Sequence, residues 1–227
     1  MTSLAAHDVT VSYSRQRVLD RVSLHIGSGE TVGLRGPSGG GKSTLVRVLA
    51  LVQGADAGHV SIDGTWVAGA RHRVPAALRT RIGVLFQSPR EATDPRLRLD
   101  DIISEPLRAT GHPDAAVRER VTELADLVGL TADLLIRRPH AVSDGQLQRA
   151  CLARALAHRP SYLLCDEATA MLDASTQAHV AGVLTDYQRE TGAGILVVSH
   201  DHALLTRWAD RVVDLQTQER RHAATAA

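Results

Sequence analysis

Near the N-terminus, apolar and polar positions alternate with period two: Val9, Val11 and Tyr13, then Val18, Val22, Leu24 and Ile26. That spacing predicts antiparallel strands over 7–13 and 18–26, joined by a turn around Ser14-Arg15-Gln16. Gly27-Ser28-Gly29 turns into a β-branched run, Glu30 to Arg35, which predicts a third strand. An apolar helical run covers 43–51, Gly54 and Gly58 punctuate, and 59–64 reads as another strand and turn. Pro75 opens a short helix over 75–81, and Ile82 to Phe86 is a buried strand ending at Gln87. From 97 to 136 the spacing is helical (Leu97, Leu99, Ile102, Ile103, then Val117, Val121, Leu124, Leu127, Val128). Pro106, Gly111-His112-Pro113 and Gly129 are expected to break it into pieces. Beyond Ser143, a helix over about 145–158, the run Tyr162 to Cys165, a helix over 175–190 and the run Ile195 to Val198 alternate. Short apolar runs between helices predict parallel strands buried on both faces. The polar, alanine-rich 216–227 segment is expected to fray.

Between the third strand and the first helix stands G-P-S-G-G-G-K-S-T, Gly36 to Thr44. Glycine, four residues, then Gly41-Lys42-Ser43 is a phosphate-binding loop pattern, and strand before with helix after is the context that gives it meaning. Gly36, Gly39, Gly40 and Gly41 let backbone N–H groups, with that of Ser38, curl around an anion, and the helix aims the positive end of its dipole there. Lys42 would reach the β- and γ-phosphates, while the hydroxyl of Ser43, beside Thr44, would ligate Mg²⁺. Lys42 is the only lysine of the chain. A compact ammonium is chemistry that arginine does not replace, although codon bias would explain arginine elsewhere equally well. The fold class this implies is α/β: a P-loop NTPase core with a mostly parallel sheet, an N-terminal antiparallel β lobe and an inserted helical subdomain at about 88–158.

Bulk composition narrows the partners. With 227 residues, 44% hydrophobic and 3% aromatic, the chain suits one large domain with an aliphatic core. A net charge of +1 makes no case for nucleic acid. No apolar stretch approaches ~18 residues, so none spans a membrane, and the first residues show no secretion signal. Cys151 and Cys165 read as small buried hydrophobes in a reducing compartment. The eleven histidines are scattered, and no structural metal is expected.

Ligands of an open parallel sheet sit beyond the carboxyl ends of its strands, so Asp166-Glu167, after the 162–165 run, should converge with the phosphate loop. Asp166 would hold Mg²⁺ through water and Glu167 would polarise an attacking water. His200 and Gln87 also follow strands. His200 could contact a γ-phosphate, and Gln87 could sense Mg²⁺ or the water; each is a weak signal alone.

Taken in order, these segments resemble the nucleotide-binding domain of ABC transporters over roughly residues 4–215. The phosphate loop is followed by the Q-loop glutamine Gln87. The signature, usually Leu-Ser-Gly-Gly-Gln, stands as Val142-Ser143-Asp144-Gly145-Gln146. Walker B is Tyr162 to Glu167, the D-loop Met171-Leu172-Asp173, and the switch histidine His200; Tyr13 matches the aromatic that stacks on adenine. The resemblance implies a single ATPase domain over 1–215 that binds ATP and Mg²⁺. Two such domains would face head to tail, each ATP lying between one phosphate loop and the partner's Ser143, Gly145 and Gln146. Asp144 departs from the usual glycine, and its carboxylate is expected to point away from the triphosphate. A narrower likeness, Phe86-Gln87-Ser88-Pro89, Thr93-Asp94-Pro95-Arg96 and Ile102 to Leu107, is to the peptide/nickel importer branch. That branch often extends beyond the final strand, whereas this chain stops shortly after Leu215.

The implied function is a cytoplasmic ATPase subunit, peripheral on the inner face of the membrane. It would energise import of peptides, nickel or a similar small solute. Its partners would be integral-membrane permease subunits, a second ABC ATPase subunit (a heterodimer is favoured) and an extracytoplasmic solute-binding protein. The alternatives are a soluble ABC ATPase acting on nucleic acid or ribosomes, an exporter motor, or a kinase sharing only the phosphate loop. The signature and Glu167 argue against the last.

Overall fold

A computed structural model describes residues 2–14, 16–67, 69–168 and 174–216. In chain order it begins with β1 (Ser3–Tyr13), β2 (Gln16–Gly27), β3 (Thr31–Arg35) and α1 (Lys42–Leu49). Then come β4 (Ala57–Ile62), β5 (Thr65–Val67), α2 (Ala76–Arg79) and β6 (Ile82–Leu85). Four helices follow: α3 (Leu99–Ala109), α4 (Asp114–Leu127), α5 (Ala132–Leu135) and α6 (Asp144–Ala155). The remainder is β7 (Tyr162–Asp166), α7 (Ala174–Thr191), β8 (Gly194–Val198), α8 (His202–Trp208) and β9 (Arg211–Asp214).

The period-two segments pair as expected, β1 with β2 antiparallel from Ser3↔Gly27 to Tyr13↔Gln16. They extend an antiparallel sheet of order β2-β1-β4-β5. The hairpin to β5 was not anticipated. Its signal is Asp63-Gly64, whose φ angles of 49° and 77° are the left-handed pair a tight hairpin turn requires. The second sheet, β6-β7-β8-β3-β9, is parallel throughout, because each connection between its strands passes through helices. Alternation along β7 divides the molecule's interior. Tyr162 and Leu164 belong to the core shared with α1 and the antiparallel sheet; Leu163 and Cys165 belong to the core shared with α6 and α7. Both cysteines are buried and unbridged.

Two expectations need correction. Pro106 does not break its helix but lies inside α3. The helix survives because Leu99, Ile102, Ile103 and Leu107 bury one continuous face across the proline, and that burial outweighs the single ladder bond lost. Second, α8 and β9 continue the alternation beyond Ser199-His200, where no helix or strand was assigned. Asp173 and the tail beyond Gln216 fall outside the described residues.

Candidate functional site

β3 lies inside the parallel sheet between β8 and β9, buried through Val32 and Leu34, so the loop after it starts from a fixed point. That loop enters α1 through Gly41 at φ 88°. A Cβ on Gly41 would lie 2.7 Å from Leu19 Cδ2 and 2.8 Å from the Val18 carbonyl oxygen. Neither the dihedral nor the space admits a side chain, and the loop presses against β2. Lys42, the first residue of α1, is 4% exposed. Its Nζ donates to the carbonyls of Gly36 (3.0 Å) and Pro37 (2.9 Å), folding back over the loop.

Two strand ends meet this ammonium. Glu167, just past β7, has φ 49°, a strained position for a residue with a side chain, and its amide donates to the Val198 carbonyl of β8 at 3.1 Å. Its Oε1 lies 3.8 Å from Lys42 Nζ. His200, past β8, places Nε2 2.7 Å from the same carboxylate oxygen and 3.4 Å from Lys42 Nζ. One nitrogen cannot donate to the carboxylate and accept from the ammonium at once. The shorter contact identifies Nε2–H as donor to Glu167.

Asp166, at the end of β7, is buried beside the Ser43 hydroxyl, and its Oδ1 has no hydrogen-bond partner among the described residues. Burial pushes this carboxyl above the usual range. The Ser43 hydroxyl, Arg47 and Lys42 oppose the shift, and repulsion from Glu167 adds to it. An orphaned carboxylate oxygen beside a serine hydroxyl is a hard-oxygen donor set, which fits Mg²⁺. Among the described residues no group of three or more His, Cys, Asp or Glu side chains could hold a metal. Magnesium ordinarily completes its shell with substrate phosphates rather than with protein ligands alone.

The phosphate loop and these strand ends enclose a cavity of about 320 Å³, whose lining includes Ser38, Gly39, Lys42, Gln87, Glu167 and His200. Gly41, Ser43 and Thr44 also line it, while Gly36 and Gly40 shape the loop behind. Tyr13 lies apart at the end of β1, 45% exposed, its hydroxyl donating to Gln53 Oε1 at 2.7 Å. Ser143, Gly145 and Gln146 are not in the cavity. Ser143 caps α6: the Gln146 amide donates to Ser143 Oγ (3.2 Å) and the Ser143 amide donates to Gln146 Oε1 (2.9 Å), a reciprocal capping box.

Two residues not singled out from sequence join these parts. Gln148 of α6, 1% exposed, donates its amide to the carbonyls of Ala168 (2.8 Å) and Phe86 (3.3 Å), the neighbours of Glu167 and Gln87. Its signal was a polar residue among the buried positions Leu147, Cys151 and Leu152. Arg90 contacts the signature carboxylate Asp144, with Nη2 to Oδ1 2.6 Å. Asp144 thus reaches toward Arg90.

The family model for ABC transporters matches residues 19–170. The chain belongs to the ABC transporter family. Among curated ABC relatives, it is 41% identical over 201 residues to the oligopeptide transport ATP-binding protein OppF of Escherichia coli K12, covering 87% of this chain and 60% of OppF. To the oligopeptide transport ATP-binding protein OppD of Mycobacterium tuberculosis H37Rv it is 39% identical over 196 residues, covering 86% of this chain and 32% of OppD. The chain therefore spans less than two thirds of these relatives' length. The fold matches the ATP-binding cassette MJ0796, solved as a dimer in a post-hydrolysis state bound to ADP and Pi. The TM-score is 0.83, with 28% identity over 93% of each chain.

Proposed function

We propose that this chain is the ATP-binding and hydrolysing subunit of an ABC importer for peptides, nickel or a similar small solute. The observation that carries the reading is the convergence of Lys42, Ser43, Gln87, Glu167 and His200 on one cavity over the phosphate loop, with the buried Asp166 carboxyl, one oxygen of it unpartnered, beside Ser43. The relatives' roles in oligopeptide transport support the substrate class.

Mg²⁺, where bound, would supply positive charge against that developing on the phosphates. The chain's own groups do the rest. The loop amides and the α1 N-terminus orient the triphosphate, and Lys42 exchanges its carbonyl partners for phosphate oxygens. Ser43 and Asp166 would hold the ion, and Gln87 would sense it or the attacking water. Glu167 accepts a hydrogen bond from the attacking water and orients it, and His200, already bonded to Glu167, fixes that carboxylate. The chemistry is positioning and charge stabilisation, without a covalent intermediate. Tyr13 stacks on the adenine, and Ser143, Gly145, Gln146 and Asp173 act across a head-to-tail dimer, on nucleotide held by the partner ATPase.

ATP binding closes that dimer and hydrolysis reopens it, a population shift driven by ATP's differential affinity for the two states. Residues 87–110 pass the motion to a membrane permease subunit. A cavity of about 410 Å³ lined by Phe86, Glu105, Pro106 and Arg154 opens beside that region and supports the assignment. Among the described residues no helix is long and apolar enough to cross a membrane. On this reading the chain works from the cytoplasmic face, peripheral to permease subunits, with an extracytoplasmic binding protein delivering solute. Residues 1–215 form the ATPase domain.

The test is Glu167→Gln. It should retain ATP binding, lose turnover and accumulate as an ATP-bound dimer in size-exclusion chromatography. Hydrolysis at the parent rate would refute the role given to Glu167.

A further inference from the structure

The signature of this chain carries a carboxylate where the family's motif has glycine, and the structure meets it with a cation. Arg90 Nη2 lies 2.6 Å from Asp144 Oδ1. The same guanidinium donates from Nη1 to the Pro139 carbonyl at 3.0 Å and from Nη2 to the Val142 carbonyl at 3.3 Å. Those carbonyls bracket the turn that delivers Ser143 to the start of α6. Arg90 stands on the segment that follows Gln87, and that segment is tied to α6 a second time, by Arg154 Nη1 donating to the Ala92 carbonyl at 2.7 Å. The stretch after Gln87 is therefore fastened near both ends of the signature helix.

At that helix's N-terminus, the capping box engages the amides of Ser143 and Gln146. The amides of Asp144 and Gly145 are first-turn donors that it does not use. In the reading proposed above, these amides face the triphosphate held by the partner ATPase. A bare, half-exposed carboxylate on the first helical residue would repel that polyanion, and salt would weaken the repulsion. Gripped by a guanidinium, the carboxylate is presented instead as a neutral pair. Both members are about half exposed, 48% for Arg90 and 58% for Asp144. An ion pair so placed adds little to folding stability, and its effect falls on the closed, nucleotide-filled assembly.

We propose that Arg90 is a positioning residue of the composite nucleotide site. It holds Asp144 aside from the partner's triphosphate, and through the same three contacts it sets the signature's place relative to Gln87. The inference rests on the ATPase reading. It makes turnover at this site depend on Arg90 because residue 144 is an aspartate; with a neutral side chain there, most of that dependence vanishes.

The experiment is a double-substitution cycle on the full chain in its assembled transporter, read by steady-state ATPase kinetics and thermal melting. Arg90→Ala should lower kcat about tenfold while KM for ATP moves less than about threefold, because the repulsion acts on closure and the phosphate loop still binds. Raising the ionic strength from about 0.05 to about 0.3 M should narrow that deficit. Made in an Asp144→Asn background, the same Arg90→Ala change should cost at most about threefold, the share owed to the two carbonyl contacts. An equal loss in both backgrounds, or a loss indifferent to salt, overturns the proposal and leaves the ATPase reading standing. No loss in the parent background overturns it likewise. A parent assembly that does not hydrolyse Mg²⁺-ATP overturns both.

Discussion

Replacing Gln148 by leucine isolates one buried side chain that touches the backbone on either side of the candidate chemistry. Both of its neighbours are carbonyls, so the amide nitrogen is the atom facing them, at 2.8 Å from Ala168 O and 3.3 Å from Phe86 O. Its Oε1 has no partner among the described residues. In Gln148→Leu one buried and one part-buried carbonyl lose their donor, at about 1–3 kcal/mol each. The substitution also removes the orphaned amide oxygen, which returns a similar amount once. The net is a destabilisation of about 2 kcal/mol, which for a chain of this size is a fall of about 4–8 °C in Tm. Because the freed carbonyls belong to the residues before Gln87 and after Glu167, kcat should fall at least about tenfold while KM for ATP changes little. Gln148→Glu keeps the volume but places an acceptor against both carbonyls, so it should be at least as damaging. Differential scanning fluorimetry and single-turnover ATP hydrolysis read the two effects separately. If both variants melt within about 1 °C of the parent and turn over normally, the amide does not hold these segments and the reasoning fails.

Two further predictions concern the phosphate loop and its metal site. Lys42→Ala should keep the fold but weaken binding of a fluorescent ATP analogue by roughly 10–100-fold, the range for a lost charged hydrogen bond; unchanged binding would remove Lys42 from the site. For Asp166, whose carboxyl is raised in the folded state mainly by burial, the sign is that protonation favours folding. That contribution is complete below the unfolded carboxyl's range near pH 4 and fades as pH rises through the higher folded value. In chelator, Asp166→Asn should therefore melt above the parent by a margin that grows as pH rises above the unfolded carboxyl's range near pH 4. Mg²⁺ with nucleotide should stabilise the parent more than the variant. A margin that shrinks with rising pH would show that the Asp166 charge is not penalised in the fold.

What the linear chain settled is what local spacing can express. Period-two alternation marked β1 and β2. Short apolar runs marked β6, β7 and β8, and the glycines before Lys42 announced a phosphate loop because a strand and a helix flank them. Gln87, Asp166, Glu167 and His200 were legible because each directly follows a buried run, and ends of parallel strands lie together at one sheet edge. Pro106 misled because a proline's local cost is visible in sequence, whereas the buried face of α3 that overrides it exists only once the helices pack. Arg90, in an exposed loop, looks like any other of the chain's arginines until the fold sets it 54 positions from Asp144 in sequence and 2.6 Å from it in space. Gln148 is the same case in reverse: spacing placed it on a helix, but only the approach of Phe86 and Ala168 gave its amide something to hold. Pattern encodes which residues must be buried and where the chain must turn. Which distant polar groups become partners is decided by packing, since contacts across many residues leave no local periodicity behind.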